Sequence, residues 1–221
     1  MVRMKQDRIR WNRKYESDKG MGRPSSLVKE FHSLAPGRLV LDLAAGTGRN
    51  ALFLARLGYR VTAVDLADES MRRLRDLKHP GIFPVQADLD RFPLPSQGFD
   101  LIVCCYFLDR NLFPYIRESL KPSGVLLFES TRESDLPSIS QPRNRDYLLR
   151  SNELLHAFLG LRILYYEESL EEDQSDPGKT RSLARLAAVK DWTGDAPLAR
   201  NLGPGEKDPE KESKPAAERR H

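Results

Sequence analysis

Cysteine is nearly absent from this 221-residue chain, which contains only the adjacent pair Cys104 and Cys105. Neighbouring cysteines cannot form an ordinary disulfide with each other, and a metal site needs more ligands at wider spacing. This composition excludes a disulfide-stapled secreted fold and a cysteine-based metal centre, and no metal site is predicted. We expect both thiols to lie in a buried strand of a protein from a reducing compartment.

Long apolar runs are missing as well. No stretch approaches the roughly 18 consecutive apolar residues that cross a bilayer, and the charged amino terminus lacks the apolar centre of a secretory signal. We therefore expect a cytoplasmic protein without a membrane partner. Histidine is also rare, and none of the four lies beside paired carboxylates or at the end of a predicted strand, so we assign no catalytic histidine.

The two ends of the chain differ from its middle. From Thr193 onward the sequence is poor in apolar residues and carries six basic and six acidic side chains, so we expect a disordered tail over 193–221. The first 38 residues carry ten lysine and arginine residues against four acids, a net charge of +6. Three interpretations of this segment stay open: an RNA-binding patch, a lid in which Trp11 and Tyr15 cover a ligand, and a helix that merely packs on the sheet edge.

Strand and helix patterns alternate between the two ends, which predicts an α/β fold with a three-layer, doubly wound, seven-stranded sheet. The predicted strands are Leu39–Leu43, Arg60–Asp65, Ile82–Ala87, Leu101–Cys105, Val125–Ser130, Arg162–Glu168 and Ser182–Val189. The predicted helices are Ser25–Leu34, Arg49–Leu57, Asp68–Leu77, Leu112–Leu120 and Ser151–Leu159.

The polar turn Glu171–Gly178 is too short for a crossover, so we expect the last two strands to form an antiparallel hairpin. The chain then divides into a covering segment at 1–37, a cofactor-binding domain at 38–192 and the tail at 193–221.

The segment from Leu39 to Ala51 is the most informative part of the chain. It reads LVLDLAAGTGRNA, an apolar strand followed by a glycine turn and the start of a helix, and the next apolar strand ends at Asp65. Glycines let the backbone approach a ligand closely, and a carboxylate at the end of the second strand can accept hydrogen bonds from a ribose. The pattern therefore predicts a nucleoside-containing cofactor at the carboxyl edge of a parallel sheet.

Two kinds of nucleoside cofactor fit this turn. The run 46–51, with Asp65 seventeen residues after its second glycine, satisfies the looser dinucleotide fingerprint. Asp42 favours S-adenosylmethionine, because a buried carboxylate needs backbone donors or a cation, and the α-ammonium group of this cofactor supplies one. A dinucleotide would bring a pyrophosphate, which the carboxylate repels. The third strand leads to Asp88, placed where an adenine amino group could donate to it.

At these residues the chain resembles the class I S-adenosylmethionine-dependent methyltransferases, over about Trp11 to Trp192. Five segments follow the family's order: Leu41–Gly48, Val64–Leu66, Ala87–Leu89, Phe92–Val103 and Leu120–Leu127. Ala44 departs from the glycine that many members have at its position, but alanine is nearly as small, so close approach of the cofactor stays plausible. Trp11–Tyr15 and Asn111–Pro114 are most similar to the tellurite-resistance and thiopurine-methyltransferase-like branch.

This resemblance implies the Rossmann-like methyltransferase fold, S-adenosyl-L-methionine as cofactor, and a monomer or homodimer. The residues that it assigns to the cofactor are Trp11, Asp42, Ala44, Gly46, Gly48, Asn50, Asp65, Leu66, Ala87, Asp88, Leu89 and Cys104. The expected reaction is methyl transfer to a small-molecule nucleophile such as a thiol or a metalloid oxyanion. The alternatives are an RNA or tRNA methyltransferase, an NAD(P)-dependent oxidoreductase and a non-catalytic cofactor-binding protein.

The acceptor side is less well defined by the sequence. Tyr106 and Asp109 follow the fourth strand and are the candidates for a catalytic role. Tyr106 could equally form a wall of the pocket, and Asp109 could equally be a solvated residue at the start of a helix. The segment Thr131–Arg150 is long for a loop and should overhang the pocket. Its arginines could hold an oxyanion, or they could be surface charges. The candidate substrate-binding residues are Tyr15, Arg132, Arg143, Arg145 and Tyr147.

Overall fold

The computed structural model describes residues 2–17, 20–172 and 178–191. The predicted disorder of the tail over 193–221 lies outside the described residues, as does the middle of the predicted turn, 173–177. Within the described residues no helix is long and apolar enough to span a membrane.

Seven strands form one sheet in the described part of the chain. They are β1 (Leu39–Leu43), β2 (Arg60–Asp65), β3 (Ile82–Gln86), β4 (Phe99–Cys105), β5 (Leu120–Thr131), β6 (Arg162–Glu172) and β7 (Thr180–Val189). Their order is β3-β2-β1-β4-β5-β7-β6, and only β7 runs antiparallel to its neighbours. The predicted doubly wound sheet and its final antiparallel hairpin are both confirmed.

Helices cover both faces of this sheet. They are α1 (Val2–Ser17), α2 (Ser26–Phe31), α3 (Arg49–Arg56), α4 (Asp68–Asp76), α5 (Phe113–Ser119) and α6 (Glu153–Ala157). One buried cluster joins α2, α3 and α4 to the sheet, and a second joins α5 and α6 to the opposite face. Successive side chains of a strand point to opposite faces of the sheet, so neighbouring residues of one strand belong to different clusters. In β1, for example, Val40 lies in the first cluster and Leu41 in the second. The predicted three layers are therefore present.

Several element ends differ from the sequence-based prediction for local reasons. The sixth helix begins at Glu153 and not at Ser151, because Asn152 adopts a left-handed conformation with φ +60°. The fifth helix begins at Phe113, with Pro114 in its first turn, and the chain is already in β5 at Leu120. The two hairpin strands extend beyond their predicted ends, because polar residues at those ends also pair between β6 and β7.

The segment predicted to cover the cofactor divides into two parts. Helix α2 belongs to the core, since Leu27, Val28 and Phe31 are buried against the sheet. Helix α1 lies outside the core and packs against α4. Only α1 and the residues that follow it therefore remain as a possible cover for the carboxyl edge of the sheet.

Candidate active site

The loop between β1 and α3 presents bare backbone at the carboxyl edge of the sheet. Ala44, Gly46 and Gly48 all adopt positive φ angles, of 52°, 57° and 89°. A Cβ on Gly48 would lie 2.3 Å from a methyl carbon of Leu74, so this position accepts only glycine. A Cβ on Gly46 would lie 3.2 Å from the hydroxyl of Tyr15. The positive φ angles disfavour an L side chain at both glycines, and at Gly48 a Cβ would also clash with Leu74.

Asp65 ends β2 beside this loop. Its Oδ2 accepts the N–H of Gly46 at 2.8 Å and its Oδ1 accepts the N–H of Ala67 at 2.9 Å. Burial raises the pKa of the carboxyl, and the backbone hydrogen bonds oppose that rise. Each carboxylate oxygen can accept a second hydrogen bond. The two backbone contacts therefore leave acceptor capacity for the predicted ribose contact.

Asp42 is the most informative side chain of the site. It is 1% exposed in the middle of the sheet, and its Oδ2 has no hydrogen-bond partner among the described residues. Burial raises its pKa to about 7, while Arg49 and a backbone hydrogen bond from Ala51 pull the pKa down. A buried carboxyl with an unsatisfied oxygen is costly unless a cation or donor binds to it. The site is therefore suited to a cationic group above the glycine loop.

The residues after β3 lie at the same edge of the sheet. The N–H of Ala87 donates to the carbonyl of Asp65 at 3.0 Å, which fixes the start of this segment beside β2. Asp88 is half-buried and its Oδ1 accepts the N–H of Asp90, whereas Leu89 is buried. Asp88 thus lies near the end of β2, and its predicted contact with an adenine remains a prediction.

Three other predicted cofactor residues have contacts of their own. Asn50 is buried and its side-chain oxygen accepts the N–H of Ser25 at 3.0 Å, so it also anchors the chain before α2. Burial raises the pKa of the Cys104 thiol, which contacts the carbonyl of Phe107 at 3.5 Å. The carbonyl of Leu66 accepts a hydrogen bond from Gln86. These contacts support the shape of the site and do not identify a ligand.

Helix α1 brings the predicted aromatic pair to the glycine loop. The rings of Trp11 and Tyr15 stack with their centroids 5.7 Å apart. The ammonium group of Lys14 lies 4.7 Å from the Trp11 ring centroid, and the guanidinium of Arg10 lies 5.3 Å from it. Arg10 also lies 5.4 Å from the ring of Tyr147, so α1 meets the segment after β5. Arg10 thereby contacts Tyr147 and also Trp11, the ring on which Tyr15 stacks, so the two predicted acceptor residues Tyr15 and Tyr147 are linked through this pair.

Tyr106 follows β4 and adopts a positive φ of 59°. Its N–H donates to the carbonyl of Glu129 at 2.7 Å, which fixes this turn against β5. Two guanidinium groups lie over its ring, that of Arg49 at 5.1 Å from the ring centroid and that of Arg181 at 5.7 Å. Burial, and then the charge of Glu129, raise the pKa of the phenol. Tyr106 therefore keeps its proton at neutral pH, so it can donate a hydrogen bond but is a poor base.

A buried charged cluster supports this side of the site. The Oε2 atom of Glu129 accepts from the side chain of Arg185 at 2.7 Å and from the hydroxyl of Ser25 at 3.1 Å. Arg185 also pairs with Glu167 at 3.1 Å and with Glu171. Because Glu129 and Arg185 are paired, their burial does not leave an isolated charge. The cluster ties β5, β6 and β7 to the segment before α2.

Asp109 and Arg110 have structural contacts that fit the helix-start interpretation. The carboxylate of Asp109 accepts the N–H of Asn111 at 2.9 Å and caps a short 3-10 helix, Arg110–Leu112. Arg110 bonds both oxygens of Glu153, at 2.6 and 2.9 Å, and also bonds backbone carbonyls of the segment after β5. Asp109 therefore has an evident structural task, and nothing in its contacts indicates catalysis.

The segment Thr131–Arg150 is more ordered than its sequence suggests. Thr131 completes β5, and Arg132 forms a bridge with Leu149. The side chain of Arg132 lies 3.4 Å from Glu168 and donates to Ser151, so it is bound to neighbouring elements. Arg143 and Arg145 are exposed. Of the four arginines predicted to line the pocket, these two and Arg150 lie at the surface, and Arg132 has partners of its own.

The sequence analysis did not assign a role to four charged residues that the structure places in the site. Arg49 belongs to the glycine turn, Glu129 and Arg185 lie in predicted buried strands, and Arg181 precedes one of them. A charge inside an apolar strand was the signal that singled out Asp42, and the same signal marks Glu129 and Arg185. Arg181 carries no such signal, because its proximity to Tyr106 depends on the register of β7.

Comparison with known proteins agrees with this geometry. The family described as "Methyltransferase domain" matches residues 40–124. A demethylmenaquinone methyltransferase of Corynebacterium urealyticum is 35% identical over 124 residues, which are 53% of this chain and 52% of that protein. A probable S-adenosyl-L-methionine-dependent methyltransferase of Haemophilus influenzae, TehB, is 28% identical over 160 residues, 68% of this chain and 55% of that protein.

The solved structures include one of the same relative. The crystal structure of TehB from Haemophilus influenzae superposes with a TM-score of 0.64 and 24% identity, covering 74% of this chain and 61% of that chain. The chain spans about half the length of the curated relatives that it matches. The sheet order and the family match agree with each other. The chain therefore contains a methyltransferase-domain match over residues 40–124 and is similar to S-adenosyl-L-methionine-dependent methyltransferases in sequence and in fold.

Proposed function

We propose that this protein is an S-adenosylmethionine-dependent methyltransferase that acts on a small anionic or soft nucleophile. The observation that carries the cofactor assignment is the unpartnered, buried oxygen of Asp42 above a glycine loop. An α-ammonium group would satisfy that oxygen, whereas a pyrophosphate would be repelled by it. The same observation disfavours an NAD(P)-dependent oxidoreductase.

The residues of the site divide into those that would hold the cofactor and those that would hold the acceptor. Asp42 would bind the ammonium group, Asp65 the ribose and Asp88 the adenine, with the bare backbone of Gly46 allowing close approach. S-adenosylmethionine supplies an activated methyl group on a sulfonium. The protein has to align a nucleophile with that group and exclude water, and such alignment alone can supply a large part of the rate enhancement.

The pair of arginines around Tyr106 supports an anionic acceptor. Arg49 and Arg181 place two positive charges near a protonated phenol at the carboxyl end of β4. Guanidinium groups bind carboxylates and other oxyanions through charge-assisted hydrogen bonds. Because the pKa of Tyr106 is raised, its hydroxyl would donate to the acceptor and would not take a proton from it. A thiolate or oxyanion needs no strong base for methyl transfer, which matches this arrangement.

Helix α1 is proposed to cover the cofactor, as its sequence suggested. Tyr15 lies against Gly46, and Arg10 joins α1 to Tyr147 on the far side of the opening. These contacts would close the site over a bound nucleoside and would exclude water from the methyl group.

A tRNA acceptor is the second candidate, and one observation favours it. Helix α1 exposes Arg10, Arg13 and Lys14 near the proposed opening, where they could contact phosphates. The aromatic ring of Trp11, however, already has Tyr15, Arg10 and Lys14 as neighbours and is not presented as a platform for a base.

The test is a product-release screen that measures S-adenosylhomocysteine against panels of thiols, metalloid oxyanions, carboxylates, amines and unmodified tRNA. We expect turnover with a small thiol or oxyanion. Turnover with tRNA alone would reject the small-molecule acceptor, and absence of turnover with every class would favour the non-catalytic alternative.

Arg181→Gln should raise the KM for that acceptor by tenfold or more, because one or two charge-assisted hydrogen bonds at about 1.5–3 kcal/mol each would be lost. Affinity for S-adenosylhomocysteine should change less than about twofold, since Arg181 is assigned to the acceptor side. Arg162→Gln, an exposed position on β6 of the same hairpin, is the matched control.

The double variant Arg143→Gln/Arg145→Gln tests the surface arginines that the sequence suggested. If the double variant raises the KM for the acceptor and Arg181→Gln does not, the acceptor binds at Arg143 and Arg145 and not beside Tyr106.

A further inference from the structure

One carboxylate of α4 bonds two side chains of helix α1 and so attaches the helix to the body of the protein. Asp68, the first residue of α4, accepts hydrogen bonds from the guanidinium of Arg8 at 2.8 Å and from the side-chain amide of Asn12 at 2.9 Å. Gln86 of β3 donates to the same carboxylate at 2.7 Å. Asp68 therefore joins α1, α4 and β3 at a single point.

A second set of contacts extends this attachment along both helices. The side-chain oxygen of Asn12 accepts the N–H of Glu69 at 3.2 Å, and the guanidinium of Arg73 donates to the carbonyl of Tyr15. Glu69 in turn accepts from Arg73 at 2.9 Å. The contact between α1 and α4 is thus polar on both sides, and Ile9 of α1 stays 44% exposed.

The same end of α4 also holds the cofactor loop. Ala67, directly before α4, donates its N–H to Asp65, and the hydroxyl of Ser70 donates to the carbonyl of Gly46. On the other side of Gly46, the hydroxyl of Tyr15 lies where a Cβ would make close contact. A displacement of α1 from α4 would therefore open the backbone that the cofactor has to approach.

We propose that Asp68 is a positioning residue that latches α1 over the cofactor loop and sets the rate at which the cofactor exchanges. This inference rests on the proposed function, because it takes the cofactor site to be the loop around Gly46. The latch is electrostatic and exposed, with the side chains of Arg8 and Asp68 each 47% accessible to solvent. Salt screens exposed charges, so added salt should open the latch.

The direct test is stopped-flow measurement of S-adenosylhomocysteine dissociation from the full chain at 50 and 500 mM salt. Dissociation from the wild type should accelerate with salt. Asp68→Asn should dissociate about fivefold to twentyfold faster at low salt and should lose most of the salt dependence, because the charge that salt screens is gone. Arg8→Gln should behave similarly, and the double variant should add little to either single change, as expected for two residues that act through one contact.

Asp76→Asn is the matched control. Asp76 lies on the same helix and also pairs with an arginine, Arg72 at 2.8 Å, within α4 itself. This variant should keep the wild-type rate and the wild-type salt dependence. Equal dissociation rates and equal salt dependence for the wild type and Asp68→Asn would overturn the latch.

A second measurement separates the latch from the proposed function. Amide hydrogen exchange over 8–17 in the cofactor-free protein should become faster in Asp68→Asn and at high salt, and should stay unchanged in Asp76→Asn. Unchanged exchange in Asp68→Asn would reject the latch even if the cofactor binds. Conversely, absence of S-adenosylhomocysteine binding by the wild type would reject the proposed function, while the exchange data would still decide whether Asp68 holds α1.

Discussion

At the scale of single residues, the proposed cofactor site depends most on Asp42. Its carboxyl is deprotonated only above its raised pKa of about 7, and only the charged form pairs well with an ammonium group. Below that pKa the protonated form is favoured in the free protein, so binding of a cation has to release a proton. The affinity should therefore rise with pH towards about 7 and level off above it.

The pH dependence can be measured by calorimetric titration of S-adenosylhomocysteine between pH 5.5 and 8.5. One linked proton gives up to about tenfold weaker binding per pH unit below the pKa. Asp42→Asn should bind weakly at every pH with little slope. Its melting temperature at pH 8 should equal or exceed that of the wild type, because the cost of the buried charge is removed. A variant that melts at a lower temperature than the wild type but binds with wild-type affinity would show that Asp42 is structural only.

Asp65 should affect both binding and stability. If Asp65 contacted only a ribose, Asp65→Ala would weaken binding without a cost to the fold. The structure shows that this carboxylate also bonds the backbone of Gly46 and Ala67. We therefore expect Asp65→Ala to weaken S-adenosylhomocysteine binding at least tenfold and to lower the free energy of unfolding by about 1–3 kcal/mol. Titration calorimetry and urea denaturation measure the two effects, and wild-type affinity in this variant would place the site elsewhere.

The residues of the cofactor loop could be predicted from the sequence because they are close along the chain. Asp42, Gly46 and Gly48 occupy one strand and one turn, so their proximity follows from local structure. Arg49 and Arg181 meet around Tyr106 only because β7 inserts beside β5 in a particular register. That register is set by the whole sheet, which explains why the arginine pair was not predicted and the cofactor loop was.

At the scale of elements, strands were easier to predict than helix ends. The bounds of β1 and β2 match the prediction because each is a short apolar run that a turn terminates. Strand β6 continues through Ser169 to Glu172, past its predicted end at Glu168. This extension was not predicted because its mostly polar residues lack the alternation of apolar and polar side chains that indicates a strand. The start of α6 depends on the left-handed conformation of Asn152, which tertiary contacts determine.

Removal of α1 tests its proposed covering role. Deletion of residues 1–18 should weaken S-adenosylhomocysteine binding and speed its dissociation, because Tyr15 no longer lies over Gly46. The fold should survive, since none of the described side chains of α1, residues 6–17, belongs to either buried cluster. Calorimetric titration and a thermal melt measure the two properties. Wild-type affinity in a folded variant would mean that α1 does not cover the cofactor and merely packs at the edge of the sheet, one of the interpretations that the sequence left open.

At the scale of the whole molecule, the topology brings the functional groups to one edge. Strands β1 to β5 run parallel, so Asp65, Tyr106 and the glycine loop all follow carboxyl ends and meet there. Ligands of open parallel sheets bind at such an edge. The antiparallel β7 adds Arg181 from the start of a strand, which is how the final hairpin contributes to the acceptor side.

The central claim is that this edge binds S-adenosylmethionine through a carboxylate that selects a cation. The most direct measurement is side-by-side calorimetric titration of the full chain with S-adenosylmethionine, S-adenosylhomocysteine and NADH at pH 7.5. We predict saturable one-to-one binding of the first two and none of NADH, with Asp42→Asn weakening both. Binding of NADH, or binding of S-adenosylmethionine that is unaffected by Asp42→Asn, would contradict the account.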